Sequence, residues 1–137
     1  MDLVVDANVI FAAIIKQGKS HELLFDERIH LFAPDFFFAE FEKHSKEILG
    51  KTERSEDELN QLMNALKTKI IITPLEELLP YLDEAEEFCP DPDDVAYFSL
   101  ALKMKCAIWS QDKALKEKQN KVQVCSTNEL FRMLGQS

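Results

Sequence analysis

Short apolar runs alternate with longer helical segments along the chain, and this alternation constrains the fold more than any other feature. The apolar runs are LVV (3–5), IHLFA (29–33), KIIIT (69–73), CAIWS (106–110) and KVQVC (121–125). The segments with helical spacing are NVIFAAII (8–15), DFFFAEFEKHSKEIL (35–49), SEDELNQLMNALK (55–67), PYLDEAEEF (80–88), DDVAYFSLALKMK (93–105) and STNELFRML (126–134). Strands separated by helices need crossover connections, which predicts an α/β fold with a parallel sheet covered on both faces.

Length and composition predict a single domain over residues 1–137. A chain of 137 residues with 46% apolar and 30% charged residues has the balance of one compact globular unit. Its apolar stretches are too short to span a bilayer, and its N-terminus lacks the pattern of a signal peptide, so we expect a cytoplasmic protein without a membrane partner. The polar stretch GKTERSEDE (50–58) is expected to be an exposed connection between helices.

The charge balance limits how the chain can bind nucleic acid. Sixteen basic and 25 acidic residues give a formal net charge of −9, which argues against a simple electrostatic nucleic-acid binder. A polyanionic substrate would need help from cations. Cys89, Cys106 and Cys125 are widely spaced and contain no C-x-x-C pair, so neither a disulfide framework nor a zinc site is indicated.

Several common α/β chemistries are excluded by missing residues. The chain has three glycines, and none follows a predicted strand in the patterns that bind dinucleotides or nucleoside triphosphates. It also lacks a G-x-S-x-G elbow, and no cysteine has an evident histidine partner. Carboxylates are therefore the remaining candidates for catalytic or ligand-binding groups.

Four acidic residues occur where the predicted fold would bring them to one edge of the sheet. Asp6 follows the first apolar run and Asp112 follows the fourth, and the carboxyl ends of parallel strands are where α/β folds bind ligands. Asp94 lies in the first turn of a helix and projects onto its apolar face, and Glu40 flanks the apolar stripe of another helix.

Each acid also has an ordinary structural explanation. Asp91, before Pro92, is a typical helix N-cap, and Asp94 and Asp112 could serve helix starts in the same way. Glu40 could pair with Lys43 or His44 one turn on. Four carboxylates at one edge would nevertheless repel one another, and a hard divalent cation with oxygen ligands is the simplest neutraliser. The set therefore predicts Mg²⁺ or Mn²⁺.

These motifs resemble those of PIN domains. VVDANV, Pro34 followed six residues later by Glu40, DPDDVAYFSLAL and IWSQDKAL stand in the order of the four acidic motifs of that family, over about residues 2–130. The resemblance implies a three-layer α/β/α sandwich with a parallel sheet of about five strands. It also implies an Mg²⁺/Mn²⁺-dependent ribonuclease site like that of VapC-type toxins.

Carried over by position, the catalytic and metal-ligating residues would be Asp6, Glu40, Asp94 and Asp112. Asp91 would be an outer helper, while Asn8 and Ser110 stand where the family often has small polar residues beside the metal, although capping and hydrogen bonding at a strand end explain them equally well. His44 is expected to be a surface histidine.

The implied substrate is single-stranded RNA, and the implied partner is a small antitoxin protein. Phe36, Phe37 and Phe38 cannot all face one core from one helix, so a surface phenylalanine at a homodimer or antitoxin interface and a buried helix start are both open. Lysines that flank the motifs and could guide the RNA strand are Lys16, Lys19, Lys43, Lys46, Lys113 and Lys116.

Two other readings stay open. A haloacid-dehalogenase-like phosphatase also has an aspartate after its first strand, but it needs a second aspartate two positions later, where this chain has Asn8. A PIN-like interaction module without catalytic activity would keep the fold and lose acids, whereas this chain retains all four.

Overall fold

The computed structural model describes residues 1–16 and 18–135, and in them five short strands alternate with helices. The strands are β1 (Asp2–Val5), β2 (His30–Pro34), β3 (Ile70–Thr73), β4 (Ala107–Trp109) and β5 (Val124–Cys125). The helices are α1 (Ala7–Ile15), α2 (Lys19–Leu24), α3 (Phe37–Lys43), α4 (Ser45–Lys51), α5 (Glu56–Lys69), α6 (Leu75–Phe88), α7 (Val95–Met104), α8 (Lys113–Glu117) and α9 (Thr127–Leu134). A 3-10 turn, Pro92–Asp94, precedes α7.

The five strands form one fully parallel sheet in the order β3-β2-β1-β4-β5. From β1 the chain first builds the sheet outward through β2 and β3, and it then returns to add β4 on the other side of β1. The order therefore reverses between β1 and β4, and such a reversal opens a crevice at the carboxyl ends of the two strands. The predicted parallel sheet of five strands is confirmed.

Helices cover both faces of this sheet. Leu3, Val4 and Val5 of β1 are consecutive and each is at most 1% exposed, although neighbouring residues of a strand point to opposite faces. The largest fully buried side chains include Trp109 on β4, and its indole Nε1–H donates to Thr127 Oγ1 of α9 at 3.0 Å. In the described part of the chain, no helix is both long and apolar enough to cross a membrane.

The segment 35–49, predicted as one helix, is two short helices that meet at His44. This residue leaves helical geometry (φ −103°, ψ 11°), and its ring packs edge-on against Phe11 of α1 with centroids 5.7 Å apart. The prediction of a continuous helix was wrong because a tertiary contact at His44 outweighs the local helical pattern.

One further helix starts earlier than predicted, and one short helix was not predicted. Helix α6 begins at Leu75, with Pro80 inside it, rather than at Pro80. Burial of Leu78 anchors this earlier turn, and Pro74 occupies the position just before the helix. Helix α2 was not predicted, because six residues are too few to establish a helical period.

The three consecutive phenylalanines pack within the chain. Phe36 lies edge-on to Tyr97 at 6.0 Å between centroids, Phe37 is fully buried, and Phe38 lies edge-on to Phe37 at 5.3 Å. Of the two readings that the sequence left open, these contacts favour the buried helix start.

Candidate functional site

Asp6 is buried at the point where β1 turns into α1. Its Oδ1 accepts the backbone N–H of Asn8 at 3.2 Å, so Asp6 is the N-cap of α1. Its Oδ2 accepts the hydroxyl of Ser110 at 2.7 Å. Burial raises the pKa of Asp6, the two hydrogen bonds oppose that rise, and the charge of Asp112 adds to it. The carboxylate is held in one orientation by partners from two neighbouring strand ends.

Ser110 links Asp6 to the end of β4. It is only 2% exposed, and while its hydroxyl donates to Asp6, the same oxygen accepts the backbone N–H of Asp112 at 3.0 Å. Asp112 itself is exposed, and its Oδ1 accepts the N–H of Ala114 at 2.9 Å as the N-cap of α8. The structure thus joins Asp6 and Asp112 through one buried hydroxyl.

Asp94 ends the 3-10 turn and occupies the N-cap position of α7. Unlike Asp6 and Asp112, its carboxylate makes no capping hydrogen bond. Asp91 instead caps the turn by accepting the N–H of Asp93 at 2.9 Å. Partial burial raises the pKa of Asp94 to about 6, and the charges of Asp6, Asp91, Asp112 and Asp93 add to the rise. The Asp94 carboxylate therefore does not cap the helix, and it is surrounded by other negatively charged groups.

A cleft of about 580 Å³ brings the acids from three parts of the chain together, and we call it the carboxylate cleft. It is lined by Asp6 and Asp94, by Glu40 from the exposed side of α3, and by Asn8 and His44. Asp112 is outside this lining, but its charge adds to the rise in the pKa of both Asp6 and Asp94. His44 also lies 3.4 Å from Glu47 through Nδ1.

Tyr97 is a cleft residue that sequence reasoning missed. It is 6% exposed, and burial raises the pKa of its hydroxyl, with the charges of Asp6, Glu40 and Asp94 adding to the effect. The available signal was its position three residues after Asp94, which places both on one side of α7.

The electrostatics and donor chemistry of the site fit a hard cation. Asp6, Glu40, Asp94 and Asp112 form no ion pair with any lysine, arginine or histidine among residues 1–16 and 18–135. Their donors are all carboxylate oxygens, the ligands that Mg²⁺ and Mn²⁺ prefer. Within the same residues, no three acidic, histidine or cysteine side chains already form a metal-ligating group.

The lysines predicted to guide a strand are dispersed. Lys116 pairs with Glu129, and Lys19 contacts Asn128 at 3.4 Å and lies 5.5 Å from the ring of Phe131. Exposed side chains, outside the lining of the carboxylate cleft, are those of Lys16, Lys43, Lys46 and Lys113.

Comparison with known families decides what this arrangement is. Residues 4–129 match the PIN domain family. The chain belongs to the PIN domain family. PIN domains are generally nucleases, and membership of the family suggests nuclease activity and a nucleic-acid substrate for this chain. A search of curated proteins gives no significant match.

Membership removes one of the alternatives. The phosphatase reading required a different family and an aspartate where this PIN domain has Asn8. The match begins within β1 and ends in the first turn of α9, so all four acids lie within the PIN domain region.

Proposed function

We propose that this PIN domain is an endoribonuclease that uses Mg²⁺ or Mn²⁺ to hydrolyse phosphodiester bonds of single-stranded RNA. One observation carries the proposal: carboxylates from the residue after β1, from α3 and from the start of α7 line one cleft without a cationic partner in the described part of the chain. Such a set favours a bound cation, and a cation at this place would attract the phosphate of a substrate.

Asp6, Glu40, Asp94 and Asp112 would hold the metal. When bound, a divalent cation supplies Lewis-acid activation of the phosphodiester and of the attacking water. Ser110 would keep Asp6 Oδ2 in place, because its hydroxyl is itself fixed between Asp6 and the backbone of Asp112. Asp91 would hold the turn that presents Asp94.

Tyr97 and Phe36 would shape the inner wall of the cleft. Both line it, and their rings contact edge-on at 6.0 Å. By limiting the access of water to Asp6 and Asp94, these rings would strengthen the interaction of the two carboxylates with a cation.

Cleavage of a labelled single-stranded RNA tests the proposal. We expect slow internal cleavage with Mn²⁺ or Mg²⁺, none with EDTA, and loss with Asp6→Asn or Asp94→Asn while the circular dichroism spectrum is unchanged. Asp91→Asn is the matched control, since asparagine caps about as well as aspartate and should retain most of the activity. Cleavage by both site variants at the wild-type rate would point to a contaminating nuclease and defeat the proposal.

A PIN-like interaction module is the second candidate. The observation that favours it is that no three potential ligands in residues 1–16 and 18–135 already form a metal-ligating group. Such a module would bind RNA or a protein with no cleavage in either metal. The same assay, run together with an RNA-binding measurement, therefore separates the two candidates.

We extend the proposal to a toxin of the VapC type, acting in the cytoplasm as one domain over residues 1–137, with a small antitoxin and a homodimer as its assemblies. Exposed apolar side chains on β3 and α6 support a protein contact: Ile71 is 53% exposed, Leu75 42% and Leu79 63%. Sedimentation at several concentrations tests the dimer, and a strictly monomeric protein would contradict it. A small open reading frame next to the gene, whose product blocks cleavage, would support the antitoxin.

A further inference from the structure

A second cleft, which we call the basic cleft, lies at the other end of α1 from the carboxylate cleft. It encloses about 610 Å³ and is lined by three cations, Lys16, Lys51 and Arg54, and by two acids, Glu53 and Glu58. Three cationic side chains around one opening are notable in a chain with a formal net charge of −9. The lining has one more cation than it has acids, whereas the whole chain is acidic, and this excess favours an anionic ligand over a cationic one.

Arg54 is the distinctive residue of this cleft. Its Nε and Nη2 are buried and have no hydrogen-bond partner among the described residues. A guanidinium is always charged and offers only donors, so leaving two buried donors without acceptors is costly. Turning the guanidinium toward the open part of the cleft, where an acceptor with several oxygens such as a phosphate could bind, would relieve this cost.

Neither acid of the cleft forms a hydrogen bond or ion pair with Arg54, although the hydrogen bonds from Ser55, together with the charge of Arg54, lower the pKa of Glu58. Glu58 Oε1 accepts the backbone N–H of Ser55 at 3.1 Å in the capping box of α5. Glu53 forms no hydrogen bond or ion pair within residues 1–16 and 18–135, and Lys51 is paired with Glu47 at 3.0 Å. The side chain of Lys16 is exposed and unpaired within the described chain.

Thr52 fixes Arg54 beside the end of α1. Its hydroxyl donates to the carbonyl of Ile14 at 3.1 Å, and the same oxygen accepts the backbone N–H of Arg54 at 3.3 Å. The connection between α4 and α5 is therefore attached to α1. These two bonds fix the backbone that carries the Arg54 side chain.

A continuous surface leads from Arg54 to the carboxylates. A smaller cleft of about 300 Å³ shares Asn8, Phe11 and His44 with the carboxylate cleft, and it shares Ile15 and Lys51 with the basic cleft. All three clefts follow α1, whose nine residues span about 13 Å. That distance is too long for one phosphate to touch both ends, but a strand of several nucleotides reaches across it.

We propose that Arg54, assisted by Lys16, binds a backbone phosphate of the substrate strand away from the scissile bond. The proposal rests on the ribonuclease function proposed above, because it takes the strand to be the one that enters the carboxylate cleft. Arg54 would supply a fork of donors to the phosphate oxygens and Lys16 a mobile charge. The contact would position the strand without reading its sequence.

Binding of a fluorescent single-stranded oligoribonucleotide to the Asp94→Asn protein tests this site without cleavage. We expect Arg54→Gln to weaken binding about tenfold and Arg54→Lys to weaken it less, because lysine keeps the charge and loses the fork. Arg54→Gln should also reduce the dependence of log affinity on log salt concentration by about one. Arg132→Gln, which removes an arginine from α9, is the matched control and should change neither quantity by as much.

Lys16→Gln provides a second test that does not depend on how a buried arginine tolerates replacement. It alters an exposed side chain, so it should leave the melting temperature unchanged while weakening oligoribonucleotide binding severalfold. Affinities of Lys16→Gln and Arg54→Lys equal to that of Arg132→Gln would overturn the proposal.

Substrate length separates this inference from the proposed function. A dinucleoside monophosphate has one phosphodiester and cannot reach Arg54 from the carboxylate cleft, so Arg54→Gln should cleave it at the wild-type rate. A longer oligoribonucleotide should show a KM raised about tenfold with little change in kcat. Binding that depends on Arg54 without cleavage by the wild type would defeat the ribonuclease and keep the phosphate site. Cleavage with binding that is independent of Arg54 would defeat the phosphate site alone.

Discussion

At the residue scale, the carboxylates of the site differ in what fixes them. Asp6 is buried and accepts two hydrogen bonds, whereas Asp94 is partly buried and makes no capping bond. A negative group in a negative field destabilises the metal-free fold unless a proton or a cation neutralises it. The cost of assembling the site should therefore be measurable without any substrate.

Asp94→Asn should raise the melting temperature of the metal-free protein at neutral pH. The folded-state pKa of Asp94 is about 6 against an ordinary 3.8, so folding favours the protonated form. Wild-type stability should therefore fall relative to the variant as pH rises from about 4 to about 6, and the difference should vanish below that window. Melting curves of both proteins in EDTA at several pH values measure this difference in stability.

Asp83→Asn is the control for this experiment, since it removes the same charge from the exposed face of α6. A variant Asp94→Asn that melts lower than wild type at neutral pH would mean that Asp94 stabilises the fold, contrary to a site of converging charges.

Ser110→Ala should impair the site more than it impairs the fold. Removing the hydroxyl takes a donor from Asp6 Oδ2 and an acceptor from the N–H of Asp112. We expect an apparent Mn²⁺ affinity or a cleavage rate lower by about 10- to 100-fold, the usual effect of losing a group that orients a metal ligand. Mn²⁺ titrations of RNA cleavage measure both quantities.

Ser99→Ala removes an equally buried hydroxyl, but that hydroxyl bonds only to Val95 O within α7. It should leave the Mn²⁺ dependence unchanged. Similar losses in the two serine variants would indicate general destabilisation instead of a role for Ser110 at the site.

At the element scale, aspartates of the candidate site also occupy helix starts, and two of them, Asp6 and Asp94, line the carboxylate cleft. Asp6 caps α1 and Asp112 caps α8 through their side chains, while Asp94 holds the cap position of α7 with its carboxylate free of that bond. Sequence alone predicted the caps and the site from the same residues and could not separate them. Only side-chain geometry reveals which oxygen is engaged.

Asp112→Asn and Asp112→Ala should separate the two roles of that residue. Asparagine keeps the acceptor for the N–H of Ala114, so Asp112→Asn should melt like wild type, whereas Asp112→Ala should lose roughly 1 kcal/mol. If Asp112 ligates the metal, both variants should lose RNA cleavage to a similar extent. Wild-type cleavage by Asp112→Asn would leave Asp112 with a capping role only.

Helices and strands were predictable where the local sequence pattern and the packing of the folded chain favour the same structure. All five strands were predicted because each is a short apolar run, and α5 was predicted because its start and spacing agree. The break at His44 was not predictable, since it depends on contact with Phe11 from another helix. Arg54 was missed for a similar reason: its partial burial in a polar connection depends on the neighbouring α1.

At the scale of the whole molecule, strand order explains why the acids meet. Because the order reverses between β1 and β4, the chain segments after these two strands diverge and leave a crevice, with Asp6 on one side and Ser110 and Asp112 on the other. Sequence reasoning could predict a common sheet edge, but it could not give distances. The convergence of Glu40 with Asp6 and Asp94 in particular required the packing of α3.

Mn²⁺ should stabilise the whole protein if the crevice binds it. A ligand at 100 times its dissociation constant contributes about 2.7 kcal/mol to folding, so the melting temperature should rise in Mn²⁺ and return with EDTA. The shift should be much smaller in Asp94→Asn. Measurements at constant ionic strength remove the effect of screening. Equal shifts in the two proteins would place the metal away from Asp94.

Trp109 gives this protein a built-in optical probe. It is the sole tryptophan of the chain, it is fully buried, and it stands next to Ser110 while its indole bonds to α9. Its fluorescence should therefore be blue-shifted in the native state and move to longer wavelength when β4 and α9 separate. Because Trp109 directly precedes Ser110 in the chain, the same emission can be followed during Mn²⁺ addition, without attaching a label to the molecule.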